Sequence, residues 1–431
     1  MQLAVTIVII ALTLFFLVRE ADVRLVLFTA GLALASLALK PLTVFEVFLT
    51  EMGNVKTIGP ICSAMGYAYV LRVTGCDRAM VRLLLTPVRK ARWLLIPGGC
   101  LVGFVTNVAV TSQTAVAAAV GPILVPLMLA AGYAPPIAAA TLVLGCSGGG
   151  SLYNPGDADL VAIQEASKAP MSMALGAMFW PLLCGFVTAV TVLLLLSRRG
   201  TAGAEASRPA ESEVPPEAPP EKWKALLPPL PVLMIFVMLP GLFFKSLPAP
   251  FEHGLPVSHA MLISTIIVLL ACRAEVSKTV KAFFEGMGYA YAQVISLIVT
   301  ASCFIAGMTQ LGLTDKLVRL VSGVGVGSMF AAGFFPGLLA VVSGSGIGPS
   351  VAFSKAVLPS LREANLPAAL DLGVMSAIAA NFGRTMSPVA AVVIFSAALV
   401  GVPTLAIVKR TAVPLIAGGL VALLVLVARG A

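Results

Sequence analysis

Apolar segments long enough to cross a bilayer follow one another along almost the whole chain. About twenty apolar residues span the hydrocarbon core of a membrane, and the first half offers such segments at 3–18, 23–39, 55–72 and 172–196. Hydrophobic residues make up 59% of the 431 residues and charged residues only 11%, whereas a soluble globular protein carries about 25% charge. The sequence therefore predicts an all-α polytopic membrane protein and excludes a cytosolic enzyme, a disordered chain and a secreted module.

The second half repeats this order of spans. Its spans are predicted at 226–244, 256–272, 287–308 and 403–428. Residues 197–224 are rich in proline and in charges of both signs, which predicts a polar linker between the halves. The first segment has no basic leader, so we interpret it as a retained span and not as a signal peptide.

Each half also contains an apolar region interrupted by polar residues and a span broken at glycine and proline. Residues 93–131 and 326–363 predict two re-entrant helical hairpins, and residues 135–166 and 367–399 predict two broken helices. Non-helical backbone is tolerated at membrane depth only where it is buried in protein or lines an aqueous cavity. The alternative for the first hairpin is an ordinary loop between two full spans, and the alternative for the second interruption, Ser343–Gly348, is a flexible turn.

Three positions recur in the second half at the same spacing. Successive members lie 14 and 29 residues apart in both halves, and an offset of 233 residues relates Ser112, Pro126 and Pro155 to Ser345, Pro359 and Pro388. Matched interruptions in two halves are typical of secondary transporters built from inverted repeats. We therefore predict one repeat over 1–196 and a second over 225–431. With five crossings in each half, the two repeats must be inverted.

The basic residues predict the orientation. If the basic stretch Arg72–Arg92 is cytoplasmic, the loops on its side carry twice as many Lys and Arg residues as the loops on the other side. This bias agrees with the positive-inside rule. It predicts a multi-pass protein of the bacterial inner membrane with both termini in the periplasm.

The interruptions supply the candidate binding groups. Hydroxyl, amide and guanidinium groups beside helix ends suit a carboxylate, which gives these substrate-binding candidates: Asn107, Ser112, Gln113, Thr114, Asn154, Ser345, Gly346, Asn381, Arg384, Thr385 and Ser387. The candidates for a coupling ion, a sodium ion or a proton, are Ser147, Gly149, Asp157, Asp159 and Ser343.

Arg384 is the most informative of these residues. A cation within a membrane segment is costly and tends to mark a transport pathway or a charged partner. Its alternative role is a structural ion pair or a side chain that reaches to the interface. Asp157 and Asp159 could hold a cation or pair with Arg384, and the alternative places them at the membrane surface.

Enzymatic chemistry has no support in the sequence. The chain has no Walker A, HExxH or GxSxG motif in a workable context, and its seven cysteines form no CxxC pair that would indicate a zinc site or a disulfide framework. We therefore expect no cofactor, no nucleic-acid partner and no hydrolysis of ATP, so that gradients or exchange would drive any transport.

Three first-half segments carry a resemblance to a known family. GYAYVLRVTGCDRAMVRLLLTPVRKARWLLIPG (66–98), the SQTA and GPILVPL stretch (112–127) and GCSGGGSLYNPG (145–156) resemble the anaerobic C4-dicarboxylate uptake carriers of Dcu type C. This family belongs to the ion-transporter superfamily. The resemblance implies fumarate, malate or succinate as substrate and a homodimer with an elevator mechanism. The hairpins and broken helices would slide against a scaffold formed by 3–72, 172–196, 226–308 and 403–428.

The hairpin tips leave the coupling ion open. Sodium-coupled relatives carry Ser-Asn-Thr at each tip, whereas this chain has Ser112-Gln113-Thr114 and Ser345-Gly346-Ile347. Proton coupling, sodium coupling and exchange therefore remain as alternatives. Two other functions also remain: a carrier for another organic anion, and the membrane subunit of a tripartite carrier that needs a soluble substrate-binding protein.

Overall fold

The computed structural model describes residues 2–18, 22–88, 94–199, 221–238, 255–313 and 326–430. Within these ranges the regular secondary structure is entirely helical. Six helices are long and apolar enough to cross a membrane, and four shorter apolar helices accompany them. The described part of the chain thus confirms the all-helical class of a multi-pass membrane protein.

Ten α-helices belong to the described part of the first half. They are α1 (Gln2–Val18), α2 (Val23–Leu37), α3 (Leu42–Met52), α4 (Val55–Thr74), α5 (Cys76–Val88), α6 (Leu95–Ala109), α7 (Gln113–Ala130), α8 (Pro135–Ser147), α9 (Ala158–Ser167) and α10 (Met171–Arg199). A 3-10 turn, Gly150–Tyr153, lies between α8 and α9.

The second half begins with a 3-10 turn at Lys222–Leu226. Its α-helices are α11 (Leu230–Val237), α12 (Val257–Ala271), α13 (Val276–Ala290), α14 (Ser296–Gln310), α15 (Val326–Ser343), α16 (Ile347–Leu361), α17 (Leu366–Thr385), α18 (Ala391–Val400) and α19 (Thr404–Gly430). A π-helical turn, Tyr291–Ile295, joins α13 to α14.

The helix bounds repeat at the same offset as the serine and proline spacing. Adding 233 to the bounds of α9 gives the bounds of α18, and the first residue of α10 corresponds in the same way to that of α19. Helices α10 and α19 also cross at equivalent glycines. A Cβ atom on Gly185 would lie 2.8 Å from the carbonyl oxygen of Gly418, and one on Gly418 would clash with the carbonyl oxygen of Gly185.

The crossing of α10 and α19 yields a first prediction. Gly418→Ala should destabilise the protein by about 1–3 kcal/mol, because the added methyl group forces two closely packed backbones apart. Thermal unfolding in detergent measures the loss. Gly176→Ala in α10 is the matched control, since a Cβ there meets no atom within 4 Å. An unchanged unfolding temperature for Gly418→Ala would contradict the tight crossing.

The helices pack in two groups. In the flanking group, defined as α1–α4 and α11–α14, α2 packs on α14, and α4 packs on α12 and α13. In the central group, α6–α10 and α15–α19, the helices α6 and α7 pack on α8, and α15 and α16 pack on α17. The two groups touch where α4 meets α9, where α14 meets α16 and where α1 meets α15, and α5 packs on α4 of one group and on α6 and α7 of the other.

The packing of α10 and α19 differs from the expectation. The sequence pattern assigns residues 172–196 and 403–428 to the scaffold with the flanking helices, but α10 and α19 pack on each other and on α8 and α17. Glycines at their crossing allow this close approach. Hydropathy identifies a span but does not identify the helices that pack against it, so the sequence alone does not assign α10 and α19 to a helix group.

One helix and one boundary also differ from the prediction. The sequence does not predict helix α3, because its 11 residues include Glu46 and Glu51 and are too short and polar to indicate a span. The sequence predicts the second break at Asn381–Pro388, but α17 continues through Thr385. The helix ends just before Pro388 because proline disfavours helical backbone in the residue preceding it.

Two predicted segments lie partly outside the described residues. Of the predicted linker 197–224, residues 200–220 are outside, while α10 extends to Arg199. Of the predicted span 226–244, the structure describes α11 up to Val237 and the turn at Met238.

Candidate functional site

The first hairpin turns between α6 and α7. The Asn107 Nδ2 donates to the carbonyl oxygen of Val110 at 3.0 Å, and the hydroxyl of Ser112 accepts from the backbone N–H of Ala115 at 3.4 Å, capping α7. Gln113 is the first residue of α7 and is buried, whereas Ser112 and Thr114 are half-buried. The turn thus presents polar side chains at a helix N-terminus.

Two asparagines tie this turn to the first broken helix. The Oδ1 of Asn107 accepts from the backbone N–H of Ser151 at 2.9 Å. The Nδ2 of Asn154 donates to the carbonyl oxygen of Val108 at 2.8 Å, and its Oδ1 accepts from the backbone N–H of Gly156 at 2.8 Å. The hydrogen bonds of both amide groups with the chain fix the orientation of Asn107 and Asn154 between the turn and the break.

Glycine forms the first break. Gly149 has a φ of +96°, a left-handed conformation that glycine adopts without steric cost. A Cβ on Gly150 would clash with the carbonyl oxygen of Phe104 in α6. The Ser147 hydroxyl, on the last residue of α8, donates to the carbonyl oxygen of Val143 and is therefore already engaged.

The second hairpin places its tip against α17. Gly344 has a φ of +68°, and the Ser343 hydroxyl lies 3.3 Å from the backbone N of Ser345 and 3.2 Å from its carbonyl oxygen. Ser345 itself is half-buried. A Cβ on Gly346 would sit 3.0 Å from the carbonyl oxygen of Ala380, so glycine permits this close approach of backbone to backbone.

The two broken helices meet at Thr385. Its hydroxyl lies 2.9 Å from the carbonyl oxygen of Ser147 and 2.8 Å from that of Asn381 in its own helix. Arg384 is the adjacent residue, so the arginine is at the contact between the two halves of the central group.

Several buried polar atoms near these elements have no hydrogen-bond partner within the described chain. An unpaired buried polar group costs about 1–3 kcal/mol, so each needs a reason. Those belonging to predicted site residues are Gln113 Nε2 and Oε1, Asp159 Oδ1, Asn381 Oδ1, Arg384 Nε and Ser387 Oγ. They offer donors and acceptors for a bound molecule.

The charges at this site are two carboxylates and one guanidinium. Arg384 interacts electrostatically with Asp157 and Asp159, and in the described residues no carboxylate oxygen lies within 4.0 Å of its nitrogens. Asp157 caps α9, accepting from the backbone N–H of Asp159 at 3.0 Å. Both aspartates are buried within the protein.

Ser350 is a further candidate site residue that sequence reasoning missed. It is buried, and its side chain faces Asp159 from α16. Ser354, one turn further along α16, is buried in the same way. The available signal was two serines four residues apart in an apolar helix, directly after the hairpin tip.

Two solved transporters share this fold. The YdaH transporter of Alcanivorax borkumensis matches with a TM-score of 0.55 and 17% identity, over 89% of this chain and 86% of its own. MtrF of Neisseria gonorrhoeae, described as illuminating a class of antimetabolite efflux pumps, matches with a TM-score of 0.56 and 15% identity, over 89% and 84%. At this identity the likeness shows the fold alone.

Sequence relatives are also transporters. A putative uncharacterized transporter of Haemophilus influenzae is 31% identical over 57% of this chain and 86% of its own length. The probable anaerobic C4-dicarboxylate transporter DcuC of Vibrio cholerae is 27% identical over 82% and 77%, and DcuC of Escherichia coli is 25% identical over 82% and 76%.

A family model gives the assignment. The DcuC model, the C4-dicarboxylate anaerobic carrier, matches residues 48–430, which confirms the resemblance inferred from the first-half motifs. The family and these relatives are membrane transporters and not enzymes. The chain belongs to the C4-dicarboxylate anaerobic carrier family.

Proposed function

We propose that this protein is a secondary active transporter that moves C4-dicarboxylates such as fumarate, succinate and malate across the bacterial inner membrane. The observation that carries the proposal is Arg384, whose Nε lacks a hydrogen-bond partner at the contact between the broken helices. A guanidinium binds a carboxylate through two parallel hydrogen bonds. Asn381 and Ser387 bring further unpaired polar atoms to the same end of α17.

The second carboxylate of the substrate would bind at the first hairpin. The N-terminus of α7 carries the partial positive charge of a helix dipole, and Gln113 adds an unpaired amide. The tie from Asn107 to Ser151 holds this turn against the first break, whose Ser147 contacts Thr385. A molecule with two carboxylates suits a site with positive groups on two connected elements.

Charge balance supports coupling to a cation or exchange. With both aspartates ionised, Asp157, Asp159 and Arg384 sum to one negative charge, so a bound dianion would raise the excess to three in a region of low dielectric constant. Accompanying protons or sodium ions at Asp157 and Asp159 would offset this charge. Alternatively, in an exchange cycle the carrier would move back across the membrane with an outgoing dicarboxylate bound.

The elevator mechanism has support in the packing. Two helix groups touch at α4–α9 and α14–α16, and the site lies within the central group. We extend the moving part to α10 and α19, because they pack on α8 and α17. The shared offset of helix bounds and the reciprocal contact of Gly185 with Gly418 support inverted repeats. The proposal also places Arg72–Arg92 in the cytoplasm and both termini in the periplasm, and it includes a homodimer.

Transport by purified protein in liposomes tests the function. Uptake of radiolabelled succinate or fumarate should be saturable and should depend on a proton gradient, a sodium gradient or internal dicarboxylate. A C4 monocarboxylate such as butyrate is the competing control and should inhibit weakly. Absence of uptake and exchange under all three conditions would contradict the proposal. Recovery of uptake only with an added soluble binding protein would indicate a tripartite carrier.

A further inference from the structure

A second cluster of charged side chains lies outside the substrate site. The Lys355 Nζ is 2.6 Å from the Glu51 Oε1 and 3.9 Å from the Glu165 Oε2, and it donates to the Ser302 hydroxyl at 3.0 Å. The side chains of Lys355, Glu51 and Glu165 are only 11%, 17% and 24% exposed. Two carboxylates therefore share one ammonium group in a nearly buried position.

Polar side chains at the start of α4 complete this cluster. The Thr57 hydroxyl donates to the Glu165 Oε2 at 2.7 Å. The Asn54 Nδ2 donates to the Glu51 Oε2 at 3.2 Å and also to the Glu165 Oε1. Every charged group thus has several partners. We call the set the clasp: Glu51, Asn54, Thr57, Glu165, Ser302 and Lys355.

The clasp bridges the two helix groups. Glu51, Thr57 and Ser302 belong to α3, α4 and α14 of the flanking group, whereas Glu165 and Lys355 belong to α9 and α16 of the central group. The clasp lies where these groups touch. The ion pair between Glu51 and Lys355, and the hydrogen bond between Thr57 and Glu165, must separate if the central group moves away from the flanking helices at this end.

The central-group residues of the clasp have no charged equivalents in the other repeat. The offset of 233 residues relates Glu165 to Ala398 and Lys355 to Pro122, and neither Ala398 nor Pro122 carries a charge. If exchanging the conformations of two inverted repeats generates the opposite arrangement, that arrangement would lack an ion pair at these two positions.

We propose that the clasp is a one-sided latch that stabilises the arrangement with α9 and α16 docked on α3, α4 and α14. This inference rests on the proposed function, since it needs two helix groups that move relative to each other. The latch lowers the free energy of the docked arrangement relative to the opposite one. It must open before the substrate-bound central group can move.

Cross-linking between the groups tests the latch without any substrate. A Cβ on Gly348 in α16 would lie 3.8 Å from the Val23 Cγ1 in α2, so Val23→Cys with Gly348→Cys reports docking. In a cysteine-free background, Glu51→Gln should lower the rate of copper-phenanthroline cross-linking about threefold, because the docked population falls. Lys355→Arg keeps the charge and should retain most of the rate.

Two further variants make the test decisive. Glu275→Gln removes an exposed ion pair with Lys278 in α13 and should leave cross-linking unchanged. If Glu51→Gln does not fold, the triple variant Glu51→Gln, Glu165→Gln and Lys355→Met removes the clasp without leaving an unpaired charge. Folded clasp variants that cross-link at the parent rate would overturn the latch. Absence of dicarboxylate transport with an intact cross-linking effect would overturn only the proposed function.

Discussion

Arg384→Gln is expected to weaken dicarboxylate binding by about a hundredfold. Loss of one partner from a buried, charge-assisted pair costs about 2–5 kcal/mol, and the glutamine amide cannot offer two parallel donors with a positive charge. The variant also leaves Asp157 and Asp159 without their positive neighbour, which adds repulsion toward the substrate. Binding of radiolabelled succinate to detergent-purified protein measures the effect.

Two arginine variants separate charge from geometry. Arg384→Lys keeps the charge but loses the planar pair of donors, so its affinity should fall between those of the parent and Arg384→Gln. Arg362→Gln is the matched control, because the Arg362 guanidinium donates to the carbonyl oxygen of Ala166 at 3.1 Å, away from the site. Parent affinity in Arg384→Gln, with the protein folded and monodisperse, would reduce Arg384 to a structural role.

Asp159→Asn is expected to uncouple transport from the cation gradient. The substitution removes one of two negative charges near Arg384 and so removes the need for an accompanying cation at that position. Gradient-driven uptake should fall at least about tenfold, whereas exchange of internal for external dicarboxylate should continue. Paired measurements of both activities on one liposome preparation give the ratio.

Asp371→Asn is the matched control for this substitution. Asp371 is a half-buried carboxylate of α17 whose charged neighbour is Arg429, not Arg384. Its replacement should leave the ratio of gradient-driven uptake to exchange unchanged. Equal losses of both activities in Asp159→Asn would show that Asp159 supports the fold or the binding step and does not carry the coupling cation.

The hairpin turns and the first break could be predicted from the sequence because their signals are local. Glycine at 149 and polar residues within apolar arms identify interruptions directly. The sequence pattern places the second break at Asn381–Pro388, but α17 continues past Gly383 to Thr385, and only the last residues of that range lie outside the helix. A glycine alone does not end a helix whose hydrogen bonds remain intact.

The clasp was beyond sequence reasoning for a different reason. Glu51 and Lys355 are 304 positions apart, and no local pattern distinguishes them from charges at ordinary helix ends. The same limit applies to the neighbours of α10 and α19, which depend on tertiary packing. Candidate binding residues could be predicted because polar groups in an apolar segment are rare, but their partners could not.

The ties of Asn107 and Asn154 have a consequence for access to the site. Two hydrogen bonds from these side chains join the first hairpin turn to the first break, while the Thr385 hydroxyl joins that break to α17. A hairpin held in this way is poorly suited to swing open like a lid, because each swing would expose several buried amide groups. A substrate bound there should experience a site of constant shape throughout the cycle. Inhibitors that match this shape would then bind with similar intrinsic affinity from either side of the membrane.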